Sequence, residues 1–90
     1  MRVLLAEDDP MIGAAIEQAL RDNAYAVDWV KDGSAALAAV EIEPYDVVLL
    51  DINIPAPDGL EVLRQLRQSA KSLPVILITA RDSLADKIGG

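Results

Sequence analysis

The run Val47-Val48-Leu49-Leu50 has no polar break and stops abruptly at Asp51. Two further runs behave alike: Val3-Leu4-Leu5-Ala6 stops at Glu7-Asp8-Asp9, and Val75-Ile76-Leu77-Ile78 stops at Thr79. Short, continuous apolar runs rich in branched side chains read as strands buried on both faces, the environment of a parallel sheet. Parallel strands share a direction, so their carboxyl ends lie along one edge, and open α/β sheets place their ligands at that edge. Carboxylates from two strands and a hydroxyl from a third then meet in one small space. Clustered carboxylates repel one another unless a cation stands among them, so the pattern predicts a bound divalent metal with chemistry done beside it.

The segments between the runs carry helical signals. Asp9 can cap a helix with Pro10 at its first position, where the missing N–H costs nothing. Ile12, Ala15, Ile16, Ala19 and Leu20 recur at helical spacing as its buried stripe, and Asn23 suits a left-handed residue at its end. Tyr25–Val30 alternates in character, like a strand at a sheet edge. Asp32-Gly33-Ser34 turns into an Ala-rich helix that Pro44 closes, and Tyr45–Leu50 is the next strand. Asp58 followed by Glu61 resembles a capping box ahead of a helix with the stripe Val62, Leu63 and Leu66. Pro74 starts a strand running to Thr79, and Asp82 caps a last helix with Leu84 and Ile88. The order βαβαβαβα, in one domain over residues 1–90, argues for a parallel sheet with right-handed crossovers.

Composition narrows the function. Fifteen acidic against eight basic residues give a formal charge of −7, which disfavours nucleic acid and anionic membranes as direct partners. The absence of Cys excludes disulfides and thiolate metal sites, and with no His either, zinc is improbable. No apolar stretch approaches the roughly 18 residues of a membrane span. Met1-Arg2 ahead of an apolar run faintly mimics a signal peptide, but Glu7 interrupts it too early. A cytoplasmic location is expected.

Leu5-Ala6-Glu7-Asp8-Asp9, Leu49-Leu50-Asp51-Ile52-Asn53-Ile54-Pro55, Asp58-Gly59 and Leu77-Ile78-Thr79-Ala80-Arg81 together resemble the receiver domain of bacterial two-component response regulators. The resemblance spans the whole chain. Val27-Asp28-Trp29 and Thr79-Ala80-Arg81-Asp82 look most like receivers joined to winged-helix transcription factors. It implies a doubly wound, flavodoxin-like α/β fold with strand order 2-1-3-4. A fifth strand and fifth helix, present in receivers, would be lacking. It also implies that Asp51 is the phosphoacceptor, receiving a phosphoryl group from a sensor histidine kinase. Mg²⁺ would be held by Asp8, by Glu7 through a water, by Asp51 and by the backbone carbonyl of Asn53. Thr79 would hydrogen-bond a phosphoryl oxygen, Ala80 would keep the site accessible by being small, and Pro55 would shape the loop after Asp51. Such a protein is a regulator whose catalysis extends at most to its own phosphorylation and dephosphorylation.

Blander readings stand beside these. Asp9 reads as a cap rather than a ligand, Asp58-Gly59 as a cap and turn, and Tyr45 and Trp29 as packing residues. Glu7-Asp8 alone reads as a solvated strand end and Thr79 alone as a strand terminus. For Asp51 the balance reverses, because a carboxylate directly after four apolar residues needs a reason to be there. A phosphatase of the haloacid-dehalogenase type shares an apolar strand ending in Asp and another ending in Thr. It needs a second acid two residues later, however, where Asn53 cannot protonate a leaving group. A third reading is an interaction module with a receiver's surface and no switch. The Lys and aromatic residue that receivers carry on the fifth strand are not matched by Lys71 or Lys87. The uncharged run Val75–Ile78, left as a bare edge, predicts a homo-oligomer.

Overall fold

In the computed structural model, residues 1–70 and 72–78 are described. They form β1 (Arg2–Ala6), α1 (Pro10–Asp22), β2 (Ala26–Val30), α2 (Gly33–Ile42), β3 (Val47–Asp51), α3 (Gly59–Ser69) and β4 (Val75–Ile78). All strands pair in parallel in the order β2-β1-β3-β4, as the resemblance implies. The final helix expected around Asp82, Leu84 and Ile88, together with Thr79 and Ala80, lies outside the described residues.

The apolar runs separate into two rows because side chains alternate along a strand. Leu4, Ala6, Val48 and Leu50 face one way and form the main core with Ala36 of α2 and Val62 and Leu66 of α3. Val3, Leu5 and Leu49 belong to the other row, on the face where α1 lies and Trp29 meets Gly13. Each fully buried Leu contributes about 1.5–3 kcal/mol by leaving water. The central pair, β1 and β3, is therefore the most stable part of the sheet.

Each of the three helices among the described residues starts where an aspartate can cap it. Asp9 Oδ1 accepts from the Met11 and Ile12 amides at 2.9 and 3.0 Å, Asp32 Oδ1 from Ala35 at 2.7 Å, and Asp58 Oδ1 from Glu61 at 3.0 Å. Such caps are worth about 1 kcal/mol apiece. Besides Gly13, Gly33 and Gly59 permit close approach. A Cβ on Gly59 would lie 2.4 Å from the Asp51 carbonyl oxygen, and one on Gly33 would lie 1.8 Å from that of Pro57.

Three expectations need correction. The left-handed residue after α1 is Ala24, with φ 66°, not Asn23. The Ala24 amide donates to the Arg21 carbonyl and that of Tyr25 to the Leu20 carbonyl, so Ala24 is forced into that conformation one position later. Asn23 instead caps with its side chain, donating to the Ala19 carbonyl at 2.8 Å. The α1 stripe is narrower than predicted: Ile12, Ile16 and Leu20 are half-buried, while Ala15 and Ala19 are exposed. Among the described elements, α1 packs chiefly on β2 and β1, and the residues of the stripe turned away from those strands stay open. Finally, Glu61 does not complete a capping box. Its carboxylate binds Arg64 and Gln65 one turn on, and the Arg64 hydrogen bond draws its pKa down to about 2.

At the amino ends of the strands, Tyr45 packs beside the core and donates its hydroxyl to Asp28 Oδ2 at 2.6 Å. Arg2 Nε lies 3.3 Å from Glu43 Oε2 and 3.8 Å from Asp28 Oδ2, and the Arg2 amide donates to Asp46 at 2.7 Å. Partial burial, then the bond to Asp28, pushes the Tyr45 phenol up from 10.0 to about 12. A pKa raised by folding means stability that is full below the unfolded value and lost as the pH rises through the folded one. Tyr45→Phe should therefore cost about 1 kcal/mol at neutral pH and flatten the alkaline decline between pH 10 and about 12. Denaturant titrations across that range check this; parallel profiles for the two proteins would refute it.

Candidate metal and phosphoryl site

The register of β1 with β3 builds the site. Ala6 pairs with Leu50, so the next residues along, Glu7 and Asp51, stand side by side where the two central strands end. Asp8 follows immediately. One carboxylate oxygen from each of Glu7, Asp8 and Asp51 lies within 4.8 Å of the others. Glu7 is only 1 % exposed and Asp51 3 %, and they are the two buried charged residues among those described. Asp8 is half-buried.

Several contacts hold these groups. The Glu7 amide donates to the Val30 carbonyl at 3.0 Å, and its carbonyl accepts from Trp29 Nε1 at 2.8 Å. Its carboxylate accepts the Asp9 amide at 3.0 Å. Asp51 Oδ1 accepts the Asn53 amide at 3.2 Å, and the Gly59 amide donates to the Ile52 carbonyl at 2.9 Å, drawing the start of α3 under the loop. The loop is tied to α2 as well, where the Gly33 amide donates to the Pro55 carbonyl at 3.2 Å. Pro55 contributes its carbonyl to that tie.

Like charges 4–5 Å apart repel by about 3–4 kcal/mol per pair at a protein-like dielectric. Three such groups, two of them buried, suit a small divalent cation. The donor set is all oxygen, as hard cations require. Three carboxylate oxygens within 4.8 Å of one another would suit one hydrated Mg²⁺ that keeps part of its water shell. The groove between α2 and α3, lined by Leu37, Val40, Arg64 and Gln65, contains none of these carboxylates.

The structure brings together Glu7, Asp8 and Asp51 as the sequence suggested, with Asn53 adjacent and exposed. Thr79 and Ala80 fall outside the described residues. Asp9 caps α1, the blander of its two readings. Sequence reasoning missed Trp29 as a partner of the site. Its indole had no signal beyond a large side chain on an alternating strand, and the contact spans 22 residues.

Comparison with known proteins agrees with this geometry. Residues 3–89 match the family described as the response regulator receiver domain. The transcriptional regulatory protein QseB of Haemophilus influenzae is 46 % identical over the whole chain, which covers 41 % of that protein; the chain thus spans about two fifths of this relative's length. The receiver domain of a Francisella response regulator superposes with a TM-score of 0.84 at 34 % identity, covering 98 % of this chain and 73 % of that one. The Thermotoga maritima response regulator TrrA, solved in complex with Mg²⁺–BeF, gives 0.84 at 35 % identity, over 88 % of this chain and 69 % of that one. TrrA has also been solved in complex with the histidine kinase ThkA. No described helix is long and apolar enough to cross a membrane. The match over nearly the full length, with the acidic triad where the strands end, makes the chain a member of the response regulator receiver domain family, related to transcriptional regulators and not a conventional enzyme.

Proposed function

We propose that Asp51 accepts a phosphoryl group from a phosphohistidine of a sensor histidine kinase, beside a Mg²⁺ held by Glu7, Asp8, Asp51 and the backbone carbonyl of Asn53. The observation that carries this reading is the convergence of three carboxylates within 4.8 Å at the ends of adjacent strands. The TrrA complexes with Mg²⁺–BeF and with ThkA support the cation and the kinase as ligands of such a fold. An Asp51 carboxylate oxygen attacks phosphorus as the bond from phosphorus to the imidazole nitrogen breaks. The imidazole keeps that electron pair, and an acyl phosphate remains on Asp51. When bound, the cation offsets the negative charge of the phosphoryl oxygens during in-line transfer.

The chain's own residues do the rest. The Asn53 amide, 3.2 Å from Asp51 Oδ1, fixes the nucleophile's carboxylate. Glu7 and Asp8 hold the cation, Thr79 donates its hydroxyl to a phosphoryl oxygen, and Ala80 leaves room for the incoming group. In a longer protein the phosphorylated domain would regulate a transcription-factor output, as the kinship with QseB suggests. Direct contact with nucleic acid or membrane is not expected of this acidic domain, and cytoplasmic residence goes with the reading.

Self-association is a second proposal, and the β4 edge supports it. Ile76 is 55 % exposed and Leu77 37 % exposed on β4, which among the described residues is the outer strand next to β3 and could pair with another copy. A two-fold arrangement is the simplest closed one. Light scattering should give a dimer mass for the chain, and Ile76→Lys should lower it towards the monomer. A monomer at high concentration would exclude this pairing.

Two outcomes test the site itself. Mg²⁺ at ten times its Kd should stabilise the fold by about 1.4 kcal/mol, and Asp8→Asn should remove most of that gain. Thermal unfolding indifferent to millimolar Mg²⁺ would contradict the metal assignment. With Mg²⁺ and a small phosphodonor, intact-protein mapping should find label on Asp51 alone, and Asp51→Asn should abolish it. Label chiefly on Thr79 or Asp9 would overturn the phosphoacceptor assignment, and no label at all would favour an interaction module.

A further inference from the structure

Trp29, the chain's one tryptophan, joins the acidic corner to α1. The β1–β2 ladder ends at the pair Ala6 and Val30, followed by the bond from the Glu7 amide to the Val30 carbonyl. Beyond that point the chain turns away at Asp32 to start α2. The indole N–H of Trp29 supplies a further rung, donating to the Glu7 carbonyl at 2.8 Å. The same indole lies against the backbone of α1: a Cβ on Gly13 would sit 2.0 Å from its Cζ2 and 2.4 Å from its Cε2. The Gly13 amide in turn donates to the Asp9 carbonyl at 2.8 Å, and the Asp9 amide donates to the Glu7 carboxylate at 3.0 Å. The Lys31 ammonium stands 5.1 Å from the ring centroid, a cation–π distance that steadies the ring.

Glu7-Asp8-Asp9 is thereby bracketed by one rigid side chain. The Glu7 carbonyl and the Asp8 amide belong to a single planar peptide unit. A donor that fixes the carbonyl fixes that plane, and the direction of the Asp8 carboxylate then depends on few remaining rotations. We propose that Trp29 is a positioning residue for the metal site, its indole N–H orienting the Glu7–Asp8 peptide so that both carboxylates face the cation. The inference rests on reading the triad as a cation site. Coupling is reciprocal, so cation binding must strengthen the indole contact by the factor that the contact strengthens binding.

The test uses Mg²⁺ alone, titrated into the chain by calorimetry and by Trp29 fluorescence. Wild type should bind with a change in indole emission, and Asp8→Asn should lose both signals. Trp29→Phe keeps a ring against Gly13 but removes the donor. Loss of such an outer contact should weaken Mg²⁺ about tenfold. If that variant does not fold, a benzothienylalanine at position 29, isosteric with sulfur in place of the N–H, should show the same loss with packing kept. A merely structural tryptophan would lower the unfolding temperature and leave the Mg²⁺ Kd unchanged, which would overturn the inference. Binding detected by calorimetry with no change in emission would overturn it too. Absence of Mg²⁺ binding in the wild type would instead sink the site reading on which it rests.

Discussion

The pairing of β1 with β3 is the constraint on which the rest depends. Leu4, Leu5, Val48 and Leu50, all fully buried, make the centre of the sheet, and their register leaves Glu7 beside Asp51. A shift of one residue would turn every core side chain to the other face. Hydrophobic burial therefore enforces the register, and the register sets the spacing of the carboxylates. Stability and site geometry share one cause: the apolar residues that drive folding also carry two charged groups out of water.

Around that pair, the remaining elements act as supports. β2 holds the backbone of Glu7 through the Val30 carbonyl and the Trp29 indole. The loop after β3 is drawn in from two sides, by α3 at Gly59 and by α2 at Gly33, each in a place with no room for a Cβ. The outer faces are looser. α1 leaves Ala15 and Ala19 exposed, and β4 leaves Ile76 and Leu77 open to solvent. The described part of the molecule is thus firmest where the carboxylates meet and barest along the β4 edge.

The salt links at the opposite end of the sheet contribute differently. Arg2, Asp28, Glu43 and Tyr45 tie the amino ends of the strands, but Arg2 and its acidic partners are more than a third exposed, so water screens their ion pairs. The Tyr45–Asp28 bond, partly buried and charge-assisted, is the stronger element there. It fastens the start of β3 to β2 across β1, which helps keep the three strands in register at the end remote from the site.

Much of this was legible in the sequence because the deciding interactions are local. Asp9, Asp32 and Asp58 each bond an amide within three residues, so a cap can be read from a short window. Apolar runs ended by acids likewise announce strands and the edge where they stop. Once helices and strands alternate, chirality leaves few topologies, and the meeting of Glu7, Asp8 and Asp51 follows. Competition between neighbours was harder to read: Glu61 chose Arg64 and Gln65 over the cap, and Ala24 took the left-handed turn in place of Asn23. What only the tertiary structure decided are the contacts between residues far apart in the chain. The Trp29 bond to Glu7 spans 22 residues and the Arg2 bond to Asp46 spans 44. Such contacts exist because the strand order brings distant segments together, and no local window contains that order.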